Sequence, residues 1–112
     1  MIALVDEGGY PILVERMDDT QPSSVETGIA KARTAAIFRR STKTLDDRLH
    51  EGRVGILTLP GATPIQGGLP IIFENRVIGA IGVSGDAPQV NEEFAAAGLA
   101  VAEEALRRPA AP

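Results

Sequence analysis

The chain has 112 residues, of which 44% are hydrophobic and 4% aromatic, so we expect one domain over 1–112 with a core of Ile, Leu, Val and Ala. Its formal net charge of −4 offers no basic field that would bind phosphates, which argues against a nucleic-acid partner. The chain has no cysteine, which excludes disulfides, thiol catalysis and thiolate metal sites.

The sequence predicts no membrane association. No apolar run approaches the length of about 18 residues that a spanning helix needs. Met1 leads directly into IALVDEGG, which lacks the basic region and the cleavage site of a secretory signal. We therefore expect a cytoplasmic protein.

Two strands and two helices are predicted in the first half of the chain. Apolar runs at 2–5 and 10–16 flank the turn DEGG, whose glycines permit the positive φ of a tight hairpin. Pro11 favours an edge position for the second strand because it cannot donate a hydrogen bond. Apolar residues at helical spacing then predict a helix over 25–40, followed by a short helix over 41–52.

The second half predicts further extended segments and a long helix. Asn75 tolerates the left-handed conformation of a hairpin turn between two β-branched runs. The predicted elements are a strand or extended run over 53–60, a loop over 61–68, strands over 69–74 and 76–85, a helix over 89–108 and a frayed tail over 108–112. The order ββα(α)βββα indicates an α+β fold with a single, mostly antiparallel sheet of about five strands and helices packed on it.

The pair Gly67-Gly68 in TPIQGGLPI has two interpretations. A phosphate loop needs glycines that lead into a helix N-terminus, whereas these lead into a strand, and neither phosphate-binding fingerprint is present. The pair is then either a structural bend or an element of a ligand-facing loop.

His50, which is the single histidine, has three possible roles. On a helix it lies four residues after Asp46, so a surface contact between the two explains it without further function. It is also the residue that could serve as an axial haem ligand or as a catalytic base. One histidine cannot form a multi-histidine zinc site.

Charged residues give no convincing catalytic group. Seven of the eleven Lys and Arg residues lie between Lys31 and Arg53, and this region either forms a solvated helix face with partner ion pairs or holds an anionic small molecule. The carboxylate pairs are sequence neighbours that diverge on a helix, so we interpret them as solvated surface.

Four stretches together resemble the GlcG/HbpS-like family, which is also related to the C-terminal domain of PduO proteins. They are VDEGGYPILVERMDD, IAKARTAAIFRRST, LPGATPIQGGLPI and VIGAIGVSGDAPQVNEEFAAAG, in the family's order. The resemblance implies a profilin-like architecture and a homo-oligomer, from dimer to octamer. It also implies a small-molecule ligand, since some members bind haem or a corrinoid.

The resemblance also implies where such a ligand lies. In the family, the loop matching ATPIQGG and the strand matching GAIGVSG border a pocket at the end of the sheet. The implied ligand-binding residues in this sequence are Arg16, Lys31, Thr34, Thr42, Gly67, Gly68 and Ser84. Family chains usually begin with a further helix, which carries the haem-ligating histidine in some relatives. Here His50 is left as the candidate axial ligand, and the chain is expected to be a shortened member or to have a mis-assigned start.

The residues and the family resemblance lead to three hypotheses for the function. The leading hypothesis is a non-enzymatic binding module for a tetrapyrrole, with basic residues near the propionates. The second is a cofactor-independent catabolic enzyme for a small anionic substrate, in which Arg16 or Arg33 anchors a carboxylate and Lys31 or Asp18 moves a proton. The third is a structural subunit without a ligand, which a well-packed sheet end would favour.

Overall fold

A computed structural model describes residues 1–109 of the chain. The predicted tail over 108–112 extends beyond the described residues. The elements in chain order are β1 (Ile2–Asp6), β2 (Pro11–Glu15), α1 (Pro22–Phe38), α2 (Thr42–His50), a 3-10 helix (Val54–Thr58), β3 (Gly68–Phe73), β4 (Arg76–Val83) and α3 (Pro88–Arg107).

Within residues 1–109 the four strands form one antiparallel sheet in the order β2-β1-β4-β3. The central register pairs Ala3 with Gly82 between β1 and β4, and Gly68 with Gly82 between β3 and β4. The α+β, antiparallel architecture predicted from the sequence is confirmed. Pro11 lies in β2, which is an edge strand as its missing N–H requires.

The possible strand over 53–60 is the part of this prediction that is wrong. Residues Val54–Thr58 form a 3-10 helix, and Ile56 is its one buried side chain. A short apolar run of this length does not show a clear period, so the sequence alone does not distinguish a strand from a helical turn. The sheet therefore has four strands among the described residues rather than about five.

Helix α1 covers one face of the sheet through small side chains. Ala32, Ala35 and Ala36 of α1 are fully buried and pack against Ala3 and Val5 of β1. A side chain on Gly82 would overlap the backbone of α1, at the Gly28 carbonyl oxygen and the Ala32 nitrogen. The small residues of α1 therefore allow the backbones of the helix and the strand to approach closely.

Helix α3 covers the opposite face over β3 and β4. Ile81 and Val83 of β4 pack with Ala95 of α3, and Leu4 and Leu69 lie against this cluster. Strand β4 accordingly has buried residues on both faces. None of the helices in the described part of the chain has the length and apolar character needed to cross a membrane.

Candidate functional site

Gly67 and Gly68 lie at a crowded junction where the loop before β3 meets α1 and α2. Gly68 donates its N–H to the hydroxyl of Thr42 (2.9 Å), which is completely buried. A side chain on Gly68 would overlap the Lys31 carbonyl, and one on Gly67 (φ +133°) would lie 2.8 Å from the Val83 carbonyl oxygen. The space beside both glycines is thus filled by protein. We call the set formed by Lys31, Thr34, Thr42, Gly67 and Gly68 the glycine junction.

Thr34 fixes the first part of the same loop. Its hydroxyl lies 2.7 Å from the Ala30 carbonyl oxygen and 3.1 Å from that of Gly61, and it accepts the N–H of Thr63 at 3.0 Å. The side chain is fully buried. Thr34 therefore connects α1 to the loop and positions the approach to Gly67.

Lys31 is the buried ionisable group of the glycine junction. Its side chain is 2% exposed, and its Nζ donates to the Val83 carbonyl oxygen at 3.1 Å. Burial lowers the pKa of Lys31, and the negative charge of Asp46 offsets part of this effect. Lys31 has no ion-pair contact among the described residues.

Three polar residues that were not predicted from the sequence, Ser41, Gln66 and Glu92, bind the loop before β3 to α2 and α3. Gln66 donates its N–H to Asp46 Oδ2 (2.8 Å) and its side-chain amide to Glu92 Oε2 (2.6 Å). Ser41 donates to Glu92 Oε1 at 3.1 Å. These bonds join α2, the loop and α3, and no local motif signals them because the partners come from distant segments.

A cleft of about 850 Å³ opens at the end of the sheet, beside the start of β1 and the N-termini of α1 and α3. We call it the sheet-end cleft. It is lined by Met1, Ile2, Met17, Asp18, Asp19, Thr20, Gln21, Ser24, Val83, Ser84, Gly85, Asp86, Asn91 and Phe94. Val83 connects the two regions, because it lines the cleft while its carbonyl oxygen accepts the Lys31 ammonium.

Asn91 shapes the inner wall of the sheet-end cleft. It is 2% exposed, accepts the N–H of Asp86 at 3.1 Å and donates to the Asp86 carbonyl oxygen at 2.8 Å. The amino group of Met1 donates to the Ser84 carbonyl oxygen at 2.7 Å. These bonds hold the segment after β4 in place. Asn91 belongs to no motif, so its role was not predictable from the sequence.

The predicted ligand-binding residues separate into different parts of the molecule. Ser84 lines the sheet-end cleft, whereas Lys31, Thr34, Thr42, Gly67 and Gly68 form the glycine junction. Arg16 is exposed directly after β2 and does not line the cleft. The ligand-binding roles of these residues stay predictions.

His50 lies on the surface at the end of α2, as its spacing from Asp46 predicted. Its side chain is 80% exposed, and its Nδ1 lies 2.8 Å from the Asp46 carbonyl oxygen and 3.0 Å from Asp46 Oδ1. The hydrogen bond to that carbonyl oxygen, followed by the carboxylate charge, raises the pKa of His50. Its axial-ligand role stays a prediction. Within residues 1–109, no three His, Cys, Asp or Glu side chains are grouped to hold a metal ion.

The sheet with a helix on each face and a cleft at one end defines a profilin-like α+β module. A family model described as "Haem degrading protein HbpS-like" matches residues 1–100. The chain therefore belongs to the GlcG/HbpS-like family.

Individual relatives agree in sequence and in fold. Protein GlcG of Escherichia coli (strain K12) is 41% identical over 83 residues, covering 74% of this chain and 62% of GlcG. The matched part thus covers less than two thirds of the length of GlcG. The crystal structure of Klebsiella pneumoniae ORFY matches with a TM-score of 0.82 at 31% identity, over 88% of this chain and 71% of ORFY. A double mutant of Streptomyces reticuli HbpS matches with a TM-score of 0.80 at 29% identity, over 89% of this chain and 68% of HbpS.

Proposed function

We propose that this chain is a small-molecule-binding module that holds its ligand in the sheet-end cleft. The observation that carries the proposal is the cleft itself, because about 850 Å³ lies within the range of small-molecule sites. Apolar side chains from separate segments line it, among them Ile2, Met17 and Phe94. A structural subunit without a ligand is less well supported, since the sheet end is open rather than filled.

Haem is the ligand that the family's description suggests, and the cleft fits it poorly. Among the described residues no His, Cys or Tyr lines the cleft, so the exposed thioether of Met17 is the soft iron donor there. The Met1 sulfur packs against Gly28 in the core. Asp18, Asp19 and Asp86 line it without a Lys or Arg side chain that would pair with propionates. A corrinoid carries amides in place of most carboxylates and meets less repulsion from this rim.

A hemin titration followed by absorbance tests the haem alternative, with His50→Ala as the second sample. We expect no saturable Soret shift in either protein. A saturable shift that disappears in His50→Ala would assign His50 as the axial ligand and favour haem. A saturable shift that survives the substitution would also favour haem, with a ligand atom other than His50.

The binding proposal itself is tested with N-phenyl-1-naphthylamine, a neutral probe whose fluorescence rises in apolar sites. Phe94 lines the cleft and is 54% exposed, whereas Val101, seven residues later on α3, is 71% exposed and does not line it. We expect saturable binding that weakens about tenfold in Phe94→Ala and is unchanged in Val101→Ala, since only the first removes cleft surface. Absence of saturable binding would overturn the proposal.

We also propose self-association through the free edge of β2. All five residues of β2 are exposed, including Ile12 at 66% and Leu13 at 52%. An apolar edge strand presents unpaired backbone groups to a second copy of the chain. Light scattering after size exclusion is expected to give a multiple of the 11.7 kDa chain mass, and Leu13→Lys is expected to lower it. A single-chain mass for the unmodified protein would contradict this.

No observation favours the catabolic-enzyme alternative. It needs Lys31 to reach a substrate, but Lys31 is buried at the glycine junction and does not line the sheet-end cleft. Arg33 is exposed, with its guanidinium 5.9 Å from the centre of the Tyr10 ring. These groups do not form a common site with Asp18.

A further inference from the structure

We propose that the sheet-end cleft selects an organic cation, namely a protonated amine or quaternary ammonium group on an apolar body. The inference rests on the proposed binding function and names the ligand class. It starts from the negative charge of the cleft, which would repel an anionic ligand. Three carboxylates line the cleft, from Asp18, Asp19 and Asp86, and within residues 1–109 no Lys, Arg or His side chain lines it.

These carboxylates are not neutralised by neighbours. None of the three forms an ion pair among the described residues. Asp86 Oδ1 accepts the N–H of Ala87 at 2.8 Å, a neutral partner. The amino group of Met1 also belongs to the lining; it donates to the neutral Ser84 carbonyl oxygen, keeps its positive charge and offsets one of the three negative charges. The lining therefore keeps an excess of negative charge available to a ligand.

The remaining surface of the cleft suits the apolar body of such a ligand. Ile2 and Met17 supply aliphatic and thioether surface, and Phe94 lies in the same lining. An aromatic ring attracts a nearby cation through its negative face, which adds to the carboxylate attraction. Asp18, Asp19 and Asp86 are exposed, so their attraction for a cation is expected to depend on the salt concentration.

The basic residues of the chain are concentrated elsewhere. Seven of the eleven Lys and Arg residues lie between Lys31 and Arg53, in the segment that covers the C-terminal part of α1 and all of α2. None of these residues lines the sheet-end cleft. A ligand carboxylate or phosphate placed in the cleft would therefore face carboxylates without a compensating side chain.

Three naphthalene probes of one shape test the proposal: one bearing a trimethylammonium group, one neutral and one bearing a sulfonate. We expect the cation to bind about tenfold more tightly than the neutral probe, and the sulfonate more weakly than both. Raising the salt concentration is expected to reduce the cation's advantage, since exposed charges are screened.

Asp18→Asn with Asp19→Asn is the matched variant. Asn tolerates the left-handed conformation found at Asp19 (φ 65°), so the loop is expected to keep its shape. Glu51→Gln with Glu103→Gln makes the same change in net charge at two exposed positions outside the cleft. We expect the first variant to lose most of the preference for the cation and the second to keep it.

The outcomes separate this inference from the binding function. If the three probes bind equally, or if both double variants behave alike, the cation preference is overturned and cleft binding survives. If none of the probes binds saturably, the proposed function fails and the inference fails with it.

Discussion

The buried side chain of Lys31 fills space in the packed interior, but burying its ammonium group costs electrostatic free energy. Its aliphatic stem fills the space beside Gly67, and its Nζ replaces water with the Val83 carbonyl oxygen. The lowered pKa of Lys31 expresses the cost of burying the ammonium group, which Asp46 only partly offsets. The family resemblance indicated Lys31 as a pocket residue, whereas the structure places it inside the packed junction.

Lys31→Met is expected to raise the free energy of unfolding at pH 7 by about 1 kcal/mol, because a thioether of similar length needs no hydration. The unfolded state holds the lysine proton up to about pH 10.5, and the folded state releases it at lower pH. The stability of the unmodified protein relative to Lys31→Met should therefore rise as pH increases towards 10.5. Denaturant titrations of both proteins at pH 7 and 10 measure this. A constant difference would contradict the burial account.

Thr42→Val is expected to lower the free energy of unfolding by about 2 kcal/mol, because it leaves the buried Gly68 N–H without its acceptor. Thr58→Val is the control, since the Thr58 hydroxyl donates to the Gly55 carbonyl oxygen on the surface and its loss leaves no buried N–H unpaired. Thermal denaturation compares the two variants. Equal losses would show that the Thr42 bond does not hold the loop.

At the scale of elements, the contact between α1 and β4 decides the fold. The helical spacing of its apolar residues made α1 predictable, and the turns around Gly9 and Asn75 made both hairpins predictable. The partner of Gly82 was not predictable, since glycine in a strand signals close approach without naming the approaching element. Both α1 and α3 are rich in alanine, and it is α1 that occupies the space beside Gly82.

Gly82→Ala is expected to destabilise the protein by about 3 kcal/mol, because the added methyl group meets backbone atoms of α1 that cannot rotate away. Gly55→Ala, in the 3-10 helix, is the control, since no atom lies within 4 Å of the added group. Urea titrations report both changes. A Gly82→Ala protein as stable as the control would mean that α1 does not press on β4.

At the scale of the whole molecule, the sheet-end cleft combines segments that are far apart in sequence. Its lining comes from 1–2, 17–24, 83–86 and 91–94, which meet only because β1 and β4 are neighbours in the sheet. The sequence therefore predicted the fold, and two of the candidate residues named from it, Asp18 and Ser84, line the cleft, whereas the combination of Asp18, Asp19 and Asp86 in one lining was not predicted. Charge counts along the chain showed where basic residues cluster, and they could not show which end of the sheet would lack them.

The measurement that tests the central claim most directly is NMR of protein labelled with ¹³C at the methionine methyl groups. The chain has two methionines, and both Met1 and Met17 line the sheet-end cleft. Titration with N-phenyl-1-naphthylamine is expected to shift the methyl signal of Met17, which is 57% exposed, along one saturable curve that matches the fluorescence titration. The Met1 methyl group packs against Gly28 in the core and is expected to shift less. Saturable probe fluorescence with both methyl signals unmoved would place the binding site elsewhere and contradict the account.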